Sequence, residues 1–207
     1  FWTPGMGGSP LTSRNVSGAH MSERVSLFLI IALGESIVVT GAAFSTAPLD
    51  AVHLGAFLAA FAGTVLLWLL YFSHVQQRGS EYLEGARERG MIAQTAYTYI
   101  PLLLVLGIVL SAVADGLVLQ RPVGASTPWT TGLLCGSAIV YLLGLLLFRR
   151  ATGMRWSLTV VIGALALAVL WPLGSLLPTT VVTWTVNAVL AAVVVAEQVL
   201  DRRRAAR

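Results

Sequence analysis

Residues 51–73 read AVHLGAFLAAFAGTVLLWLLYFS, an apolar run that contains no Asp, Glu, Lys or Arg. At a rise of about 1.5 Å per residue, a helix of this length spans roughly 30 Å, the thickness of the hydrocarbon layer of a membrane. Five further runs of similar length and character lie along the chain. They are residues 25–45, 91–114, 129–148, 156–177 and 179–200. The sequence therefore predicts an all-α integral membrane protein, a bundle of six transmembrane helices.

The composition indicates that lipid is the surrounding solvent. Hydrophobic residues make up 57% of the 207 residues and charged residues 11%, whereas soluble domains average about 25% charged residues. A soluble fold of this size needs a larger polar surface than these charges supply. The composition therefore excludes an ordinary cytosolic enzyme, a disordered protein and a coiled coil.

The distribution of arginine predicts the orientation. All 13 basic residues are Arg, and if the N-terminus is cytoplasmic, Arg121 alone falls on the outer side. The positive-inside rule then predicts that both termini face the cytoplasm. Residues 1–24 would form an N-terminal cytoplasmic loop, residues 25–200 the transmembrane domain and residues 201–207 a basic cytoplasmic tail. Because no basic stripe lies on a polar domain, we expect the lipid bilayer as a partner and no nucleic acid.

Two prolines predict irregular helix geometry. Pro101 follows the polar residues of segment three and predicts a kink near Tyr97. Pro172 lies in Trp171-Pro172-Leu173-Gly174 and predicts a kinked or non-helical outer end of segment five.

Small residues recur at helical spacing in two segments. Gly55-x3-Ala59-x3-Gly63 marks one face of segment two, and Gly132-x3-Gly136 marks one face of segment four. In lipid such faces allow close approach of helix backbones. They predict close packing within the chain or between the chains of a homo-oligomer.

Glu35 is an ionisable residue near the centre of its segment, flanked by Gly34 and Ser36. It lies about 16 Å along a helix from Arg24, close to the bilayer midplane. A carboxyl group at that depth costs several kcal/mol unless it is paired, hydrated or protonated. We therefore expect Glu35 to be a protonatable group facing a cavity. The alternative is a neutral acid that ties helices together.

Polar side chains of two other segments are expected at about the depth of Glu35. These side chains are Tyr97 and Thr98 of segment three and Asn187 of segment six. With Gly34, Glu35 and Ser36, they predict a polar interior formed by segments one, three and six. Hydrogen bonds between helices without a cavity are the alternative.

A second cluster of polar residues is expected at the inner mouth of segment one. Arg24 is too far from Glu35 to pair with it along one helix, and Glu197 is an acid of suitable depth. His20 and Glu23 complete this cluster, and an interfacial collar of charges is the alternative.

The sequence gives little support to an enzyme. His20 with Glu23 is the one candidate pair for a lipid-modifying site, and no His-Glu-x-x-His, phosphate-binding loop or Gly-x-Ser-x-Gly motif occurs. His53 and His74 lie over 30 Å apart along one helix, by about 1.5 Å per residue. We therefore expect no catalytic residues, no metal site and no cofactor.

Residues 20–37 read HMSERVSLFLIIALGESI and resemble the signature of the bacterial low temperature requirement protein A family. Members typically show His-x-x-Glu-Arg, then Leu-Phe, then a Leu-Gly-Glu-Ser or Leu-Gly-Glu-Ala core. Val25 stands where Phe, Tyr or His is more usual. The positions that match are His20, Glu23, Arg24, Leu27, Phe28, Leu33, Gly34, Glu35 and Ser36. The resemblance implies a multi-pass protein of the bacterial cytoplasmic (inner) membrane, with no established substrate, reaction or cofactor.

The resemblance also implies a longer protein. Family members carry an acidic aromatic signature ahead of this region, and this chain, which begins at Phe1, contains nothing like it. We therefore expect the chain to be a C-terminal half, with the missing N-terminal half as a partner.

Two functions are consistent with these features. The first is a transporter- or channel-like protein that moves a small solute or ion, with Glu35 as its protonatable group. The alternative is a non-transporting membrane scaffold or adaptor that supports growth at low temperature.

Overall fold

The computed structural model describes residues 18–72, 99–153 and 156–205, and within these ranges the chain forms six α-helices and no strand. They are α1 (Gly18–Ser45), α2 (Ala51–Phe72), α3 (Ile100–Gln120), α4 (Pro128–Ala151), α5 (Leu158–Gly174) and α6 (Thr179–Ala205). Every helix except α5 is long and apolar enough to cross a membrane. The predicted all-α fold with several candidate membrane spans is therefore confirmed for the described residues. The count of six spans and the cytoplasmic termini stay predictions.

Helix α3 differs most from its predicted range, residues 91–114. It begins at Ile100 and extends to Gln120, so that Asp115 lies inside the helix. Pro101 stands in the first turn of the helix. A backbone N–H in that turn would have no acceptor within the helix, so the missing N–H of proline removes no helical hydrogen bond. Pro101 therefore marks the start of the helix and does not kink its middle. Residues 91–98 and Tyr97 lie outside the described residues.

Helix α5 is the shortest of the six. Pro172 lies in its last turn and the helix ends at Gly174, before the predicted end at residue 177. At its other end, Ser157 caps the helix by accepting a hydrogen bond from the backbone N–H of Val160 at 3.4 Å.

The bundle has two distinguishable ends. At one end lie the short connections 46–50, 121–127 and 175–178, of which the last two are tied by a bond from Ser126 N–H to Leu177 O at 3.0 Å. We name this the short-loop end. The opposite end, named the arginine end, carries five of the six arginines whose side chains the structure describes, and the sixth, Arg121, follows α3 at the short-loop end. The five are Arg24 of α1, Arg149 and Arg150 of α4, and Arg202 and Arg203 of α6.

Helices α3 and α4 pack with their backbones in near contact. A Cβ atom added at Gly107 would lie 2.9 Å from the backbone nitrogen of Tyr141, and one at Gly144 would lie 2.9 Å from Leu104 Cδ2.

In the two small-residue faces predicted from the sequence, Gly63 and Gly132 are used in helix packing. An added Cβ would lie 3.0 Å from Asn187 Oδ1 at Gly63 and 3.1 Å from Trp171 Nε1 at Gly132, whereas Gly55 and Gly136 have open space around them.

Large aromatic side chains fill the interior toward the arginine end. Tyr71, Tyr141 and Phe148 are fully buried, and the Tyr71 and Phe148 rings meet edge to face at 6.0 Å between centroids. The Tyr141 hydroxyl donates to Leu67 O of α2 at 2.7 Å, which links α4 to α2. This aromatic layer closes the interior on that side.

Candidate functional site

A small cavity lies inside the bundle, between α2, α3, α4 and α6. Its volume is about 20 Å³, enough for one water molecule. Asp115 lies about 8 Å along α3 from Gln120, and Asn187 about 12 Å along α6 from Thr179. Both of these helix termini belong to the short-loop end, whereas Gly63 lines the cavity about 18 Å along α2 from that end. The cavity therefore extends from the short-loop half to the middle of the bundle.

Asp115 brings a carboxyl group to the wall of this cavity. Its residue is 4% exposed. It shares the buried stripe of α3 with Leu104, Ile108 and Val118, at the three- and four-residue spacing of one helix face. Within the described part of the chain, the carboxyl group has neither a hydrogen-bond donor nor a cation as partner. Burial of an ionised carboxylate in this position costs several kcal/mol of free energy unless it is protonated or binds a water molecule or a cation.

Asn187 of α6 lines the same cavity as Asp115. Its Nδ2 donates to Ala59 O of α2 at 2.7 Å, and this bond fixes the orientation of the amide. The amide oxygen lies beside Gly63, where an added Cβ would come within 3.0 Å of it. Gly63 also lines the cavity, so the position of this oxygen depends on the absence of a side chain there.

Hydroxyl groups complete the polar lining. Ser137 donates to Leu134 O and Thr183 to Thr179 O, each at 3.0 Å, so both protons are used inside their own helices. Their oxygen lone pairs stay available for a further partner. Ser111 adds a third hydroxyl from α3. The cavity is therefore lined by one acid and four neutral side chains that can supply oxygen.

A buried ion pair lies at the arginine end. Arg149 Nη1 and Glu197 Oε2 are 2.6 Å apart, and the two residues are 6% and 5% exposed. The other carboxylate oxygen accepts hydrogen bonds from the hydroxyls of Ser157 and Thr159. The cluster joins α4, α5 and α6. The sequence suggested Arg24 as the partner of Glu197, and the structure instead provides Arg149.

Glu35 does not lie in the interior. The buried face of α1, which packs against α2 and α3, follows a three- and four-residue spacing. The buried residues of this face are Val25, Ser26, Leu29, Leu33, Ser36 and Thr40. Glu35 and Gly34 lie on the exposed side of the helix, and nothing approaches the Cα of Gly34 closely enough to contact an added Cβ. The predicted interior position of Glu35 is therefore corrected.

The other predicted residues are placed as follows. Ser36 is buried, and its carbonyl accepts a hydrogen bond from the Thr40 hydroxyl at 2.8 Å. Glu23 and Arg24 are exposed near the start of α1. Tyr97, Thr98 and the His20 side chain lie outside what the structure describes. Of the predicted polar interior, Asn187 lines the cavity.

Asp115 was missed because the predicted third segment ended at residue 114. The signal that could have found it is the apolar run Leu117-Val-Leu119 beyond the acid, which continues the segment past a single charge. No group of three or more His, Cys, Asp or Glu side chains suited to a metal occurs among the described residues.

Comparison with known proteins identifies one family. The model of that family, described as bacterial low temperature requirement A protein, matches residues 1–195. An uncharacterized protein from Rhizobium meliloti (strain 1021) is 33% identical over 153 residues, which are 73% of this chain and 37% of the relative. The chain therefore spans little more than a third of the length of that curated relative. No solved structure matches the chain.

Proposed function

The chain belongs to the bacterial low temperature requirement A family, and on this premise we propose that it forms part of a transporter or channel for a small solute or ion. The proposal places six spans in the bacterial cytoplasmic membrane with both termini in the cytoplasm. The short-loop end then faces outward. Helix α5, with 17 residues, is at the lower limit of length for a span. The proposal assigns no catalytic activity.

The observation that carries the proposal is the unpartnered Asp115 on a polar cavity. Ionisable residues inside membrane segments are costly, and they typically mark paths for ions, protons or substrates. A purely structural bundle gains nothing from an acid without a hydrogen bond, since a small apolar residue would fill the same position at lower cost. In this proposal Asp115, and not Glu35, is therefore the protonatable group.

The position of the cavity also supports transport. The aromatic layer of Tyr71, Tyr141 and Phe148 separates the cavity from the arginine end, where the Arg149–Glu197 pair lies. A site that is closed toward one side of the membrane fits a protein that alternates between two openings. A channel fits if the layer opens as a gate.

Glu35 differs from Asp115 because it lies outside the interior of the described bundle. It lies on an exposed face of α1 that also carries Ile31, 69% exposed, and Val38, 64% exposed. A carboxyl group on such a face is stable at membrane depth only if another polar group covers it. We assign this cover to a membrane helix in the remainder of the longer protein, and the greater length of the Rhizobium meliloti relative supports this choice. A second copy of the chain is the alternative.

Reconstitution of the natural full-length protein into liposomes tests the proposal. Ion and proton flux are measured with fluorescent dyes for the wild type and for Asp115→Asn, Glu35→Gln and Asp50→Asn. Asp50 lies in an exposed connection, so Asp50→Asn is the matched control for the loss of a carboxyl group. We expect Asp115→Asn to abolish flux or its pH dependence, while the control variant keeps both.

The other outcomes separate the alternatives. Flux that is lost in Glu35→Gln and kept in Asp115→Asn would restore Glu35 as the protonatable group. No flux in the wild type under any imposed ion or proton gradient would favour the membrane scaffold.

A further inference from the structure

We propose that the cavity beside Asp115 is a binding site for one small monovalent cation of the Na⁺ class. This inference rests on the proposed function and specifies the ion that the site holds. The carboxyl group of Asp115 would neutralise the ion, and the neutral oxygens of the lining would replace its water.

The chemistry of the lining selects a hard cation. The polar side chains are Ser111, Asp115, Ser137, Thr183 and Asn187, drawn from α3, α4 and α6. All of them can offer oxygen, the donor that alkali and alkaline-earth ions prefer, and none offers sulfur or imidazole nitrogen. The lining therefore disfavours zinc, copper and iron.

The charge of the lining selects a monovalent ion. Asp115 is the one titratable side chain among the residues from α2, α3, α4 and α6 that line the cavity. One carboxylate and one monovalent cation form a neutral unit, which costs less to enclose in an apolar bundle than either charge alone. A divalent cation would leave a net positive charge inside the bundle, and an anion would be repelled by the carboxylate.

The size of the cavity limits the occupant to a single ion without its water shell. A volume of about 20 Å³ corresponds to one water-sized particle. A dehydrated ion needs several oxygens in place of water, as in the filters of ion channels. The oxygen of Asn187, held by the bond from its Nδ2 to Ala59 O, is already oriented without an ion.

Thermal unfolding of the purified full-length protein in detergent tests the site without any measurement of transport. The unfolding midpoint is followed as NaCl replaces choline chloride at constant ionic strength and pH 8. A ligand that binds only the folded state raises the midpoint in a saturable way. We expect such a rise with NaCl, a weaker one with KCl, and a loss of apparent Na⁺ affinity at lower pH, because protons compete for the carboxylate.

Two variants connect the response to this cavity. We expect Asp115→Asn to abolish the Na⁺-dependent rise, while Asp50→Asn, which changes an exposed carboxyl group, keeps it. If Asp115→Asn fails to fold, Ser111→Ala keeps the charge and removes one neutral oxygen. We expect Ser111→Ala to weaken the apparent Na⁺ affinity about tenfold, the effect of losing roughly one good interaction.

Two outcomes would overturn the proposal. One is a wild type that responds equally to Na⁺ and choline, as a site for a proton or a water molecule would. The other is an undiminished Na⁺ response in Asp115→Asn or in Ser111→Ala. Proton flux in liposomes together with no Na⁺ response would refute the cation site and leave the transport proposal intact. A Na⁺ response without any flux would refute transport and leave the site intact.

Discussion

Removal of the Glu197 charge is expected to destabilise the arginine end strongly. Arg149 Nη1 lies 2.6 Å from Glu197 Oε2, and both side chains are buried. Glu197→Gln keeps the shape of the side chain and leaves the guanidinium without its counter-charge. The variant therefore isolates the electrostatic part of the cluster.

The size of the effect follows from the geometry. Two unit charges whose centres lie about 4 Å apart attract by about 4 kcal/mol at an effective dielectric constant of about 20. Loss of one partner of a buried pair typically costs about 3–5 kcal/mol, because the remaining charge stays desolvated. Arg149 Nε already has no hydrogen-bond partner in the described part of the chain, so little compensation is available locally. We expect Glu197→Gln to lower the free energy of unfolding by about 3 kcal/mol.

The assay is a double-mutant cycle in detergent, followed by denaturant unfolding. The variants are Glu197→Gln, Arg149→Met and the two combined, with Arg150→Met as the matched control. Arg150 is the next residue and is exposed, so its loss is expected to cost less than about 1 kcal/mol. A coupling energy below about 0.5 kcal/mol between Arg149 and Glu197 would refute a buried pair, since distant sites give values of that size.

Three further predictions concern packing, hydrogen bonding and pH. Gly107→Ala should destabilise the protein by about 1–3 kcal/mol in denaturant unfolding because it overpacks the α3–α4 contact, while Gly116→Ala, on the same helix with open space, should be neutral or better. Tyr141→Phe removes the buried bond to the α2 backbone and should cost about 1 kcal/mol in the same assay. The backbone N–H of His53 lowers the pKa of Asp50, with a further contribution from the His53 ring. The carboxylate therefore stabilises the start of α2 fully above the ordinary aspartate pKa, about 3.9, and this contribution disappears as the pH falls through the lower folded value. The gap in unfolding midpoint between wild type and Asp50→Asn should narrow over that acid range, and a constant gap would contradict the assignment.

Most of the helical architecture could be predicted from the length of the apolar runs. In lipid, a backbone must satisfy its hydrogen bonds internally, so a run of about 20 apolar residues has little choice but to form a helix. Helix α2, predicted as residues 51–73 and observed as Ala51–Phe72, illustrates this constraint. The end of α3 was harder to predict, because a single acid at position 115 resembles the edge of the membrane.

The candidate site was predicted less well because lipid-facing and core-facing residues are equally apolar. In a soluble helix the polar face reveals the buried one. In α1 both faces carry Leu, Ile and Val, so the sequence does not show that Leu29 is buried while Ile31 is exposed. The assumption that an ionisable residue faces inward then placed Glu35 in the interior. The same assumption is correct for Asp115 in the described part of the chain.

The partner of Glu197 also depends on information that the sequence does not carry. Arg149 is 48 residues away and meets Glu197 only because α4 and α6 come together at the arginine end. Arg24 has a comparable depth along its own helix, but α1 packs against α2 and α3. Depth along a segment can be counted, whereas the neighbours of a helix follow from the packing of the whole bundle.

The near contact of α3 and α4 at Gly107 has a mechanical consequence. Two backbones without a layer of side chains between them cannot slide past one another, so these helices should move as one rigid unit. Asn187 joins α6 to α2 by a hydrogen bond to the backbone at Ala59. The cavity lies between these two helix pairs, which Tyr141 and the Arg149–Glu197 pair tie together toward the arginine end. We therefore expect any separation of the pairs that exposes Asp115 to occur at the short-loop end.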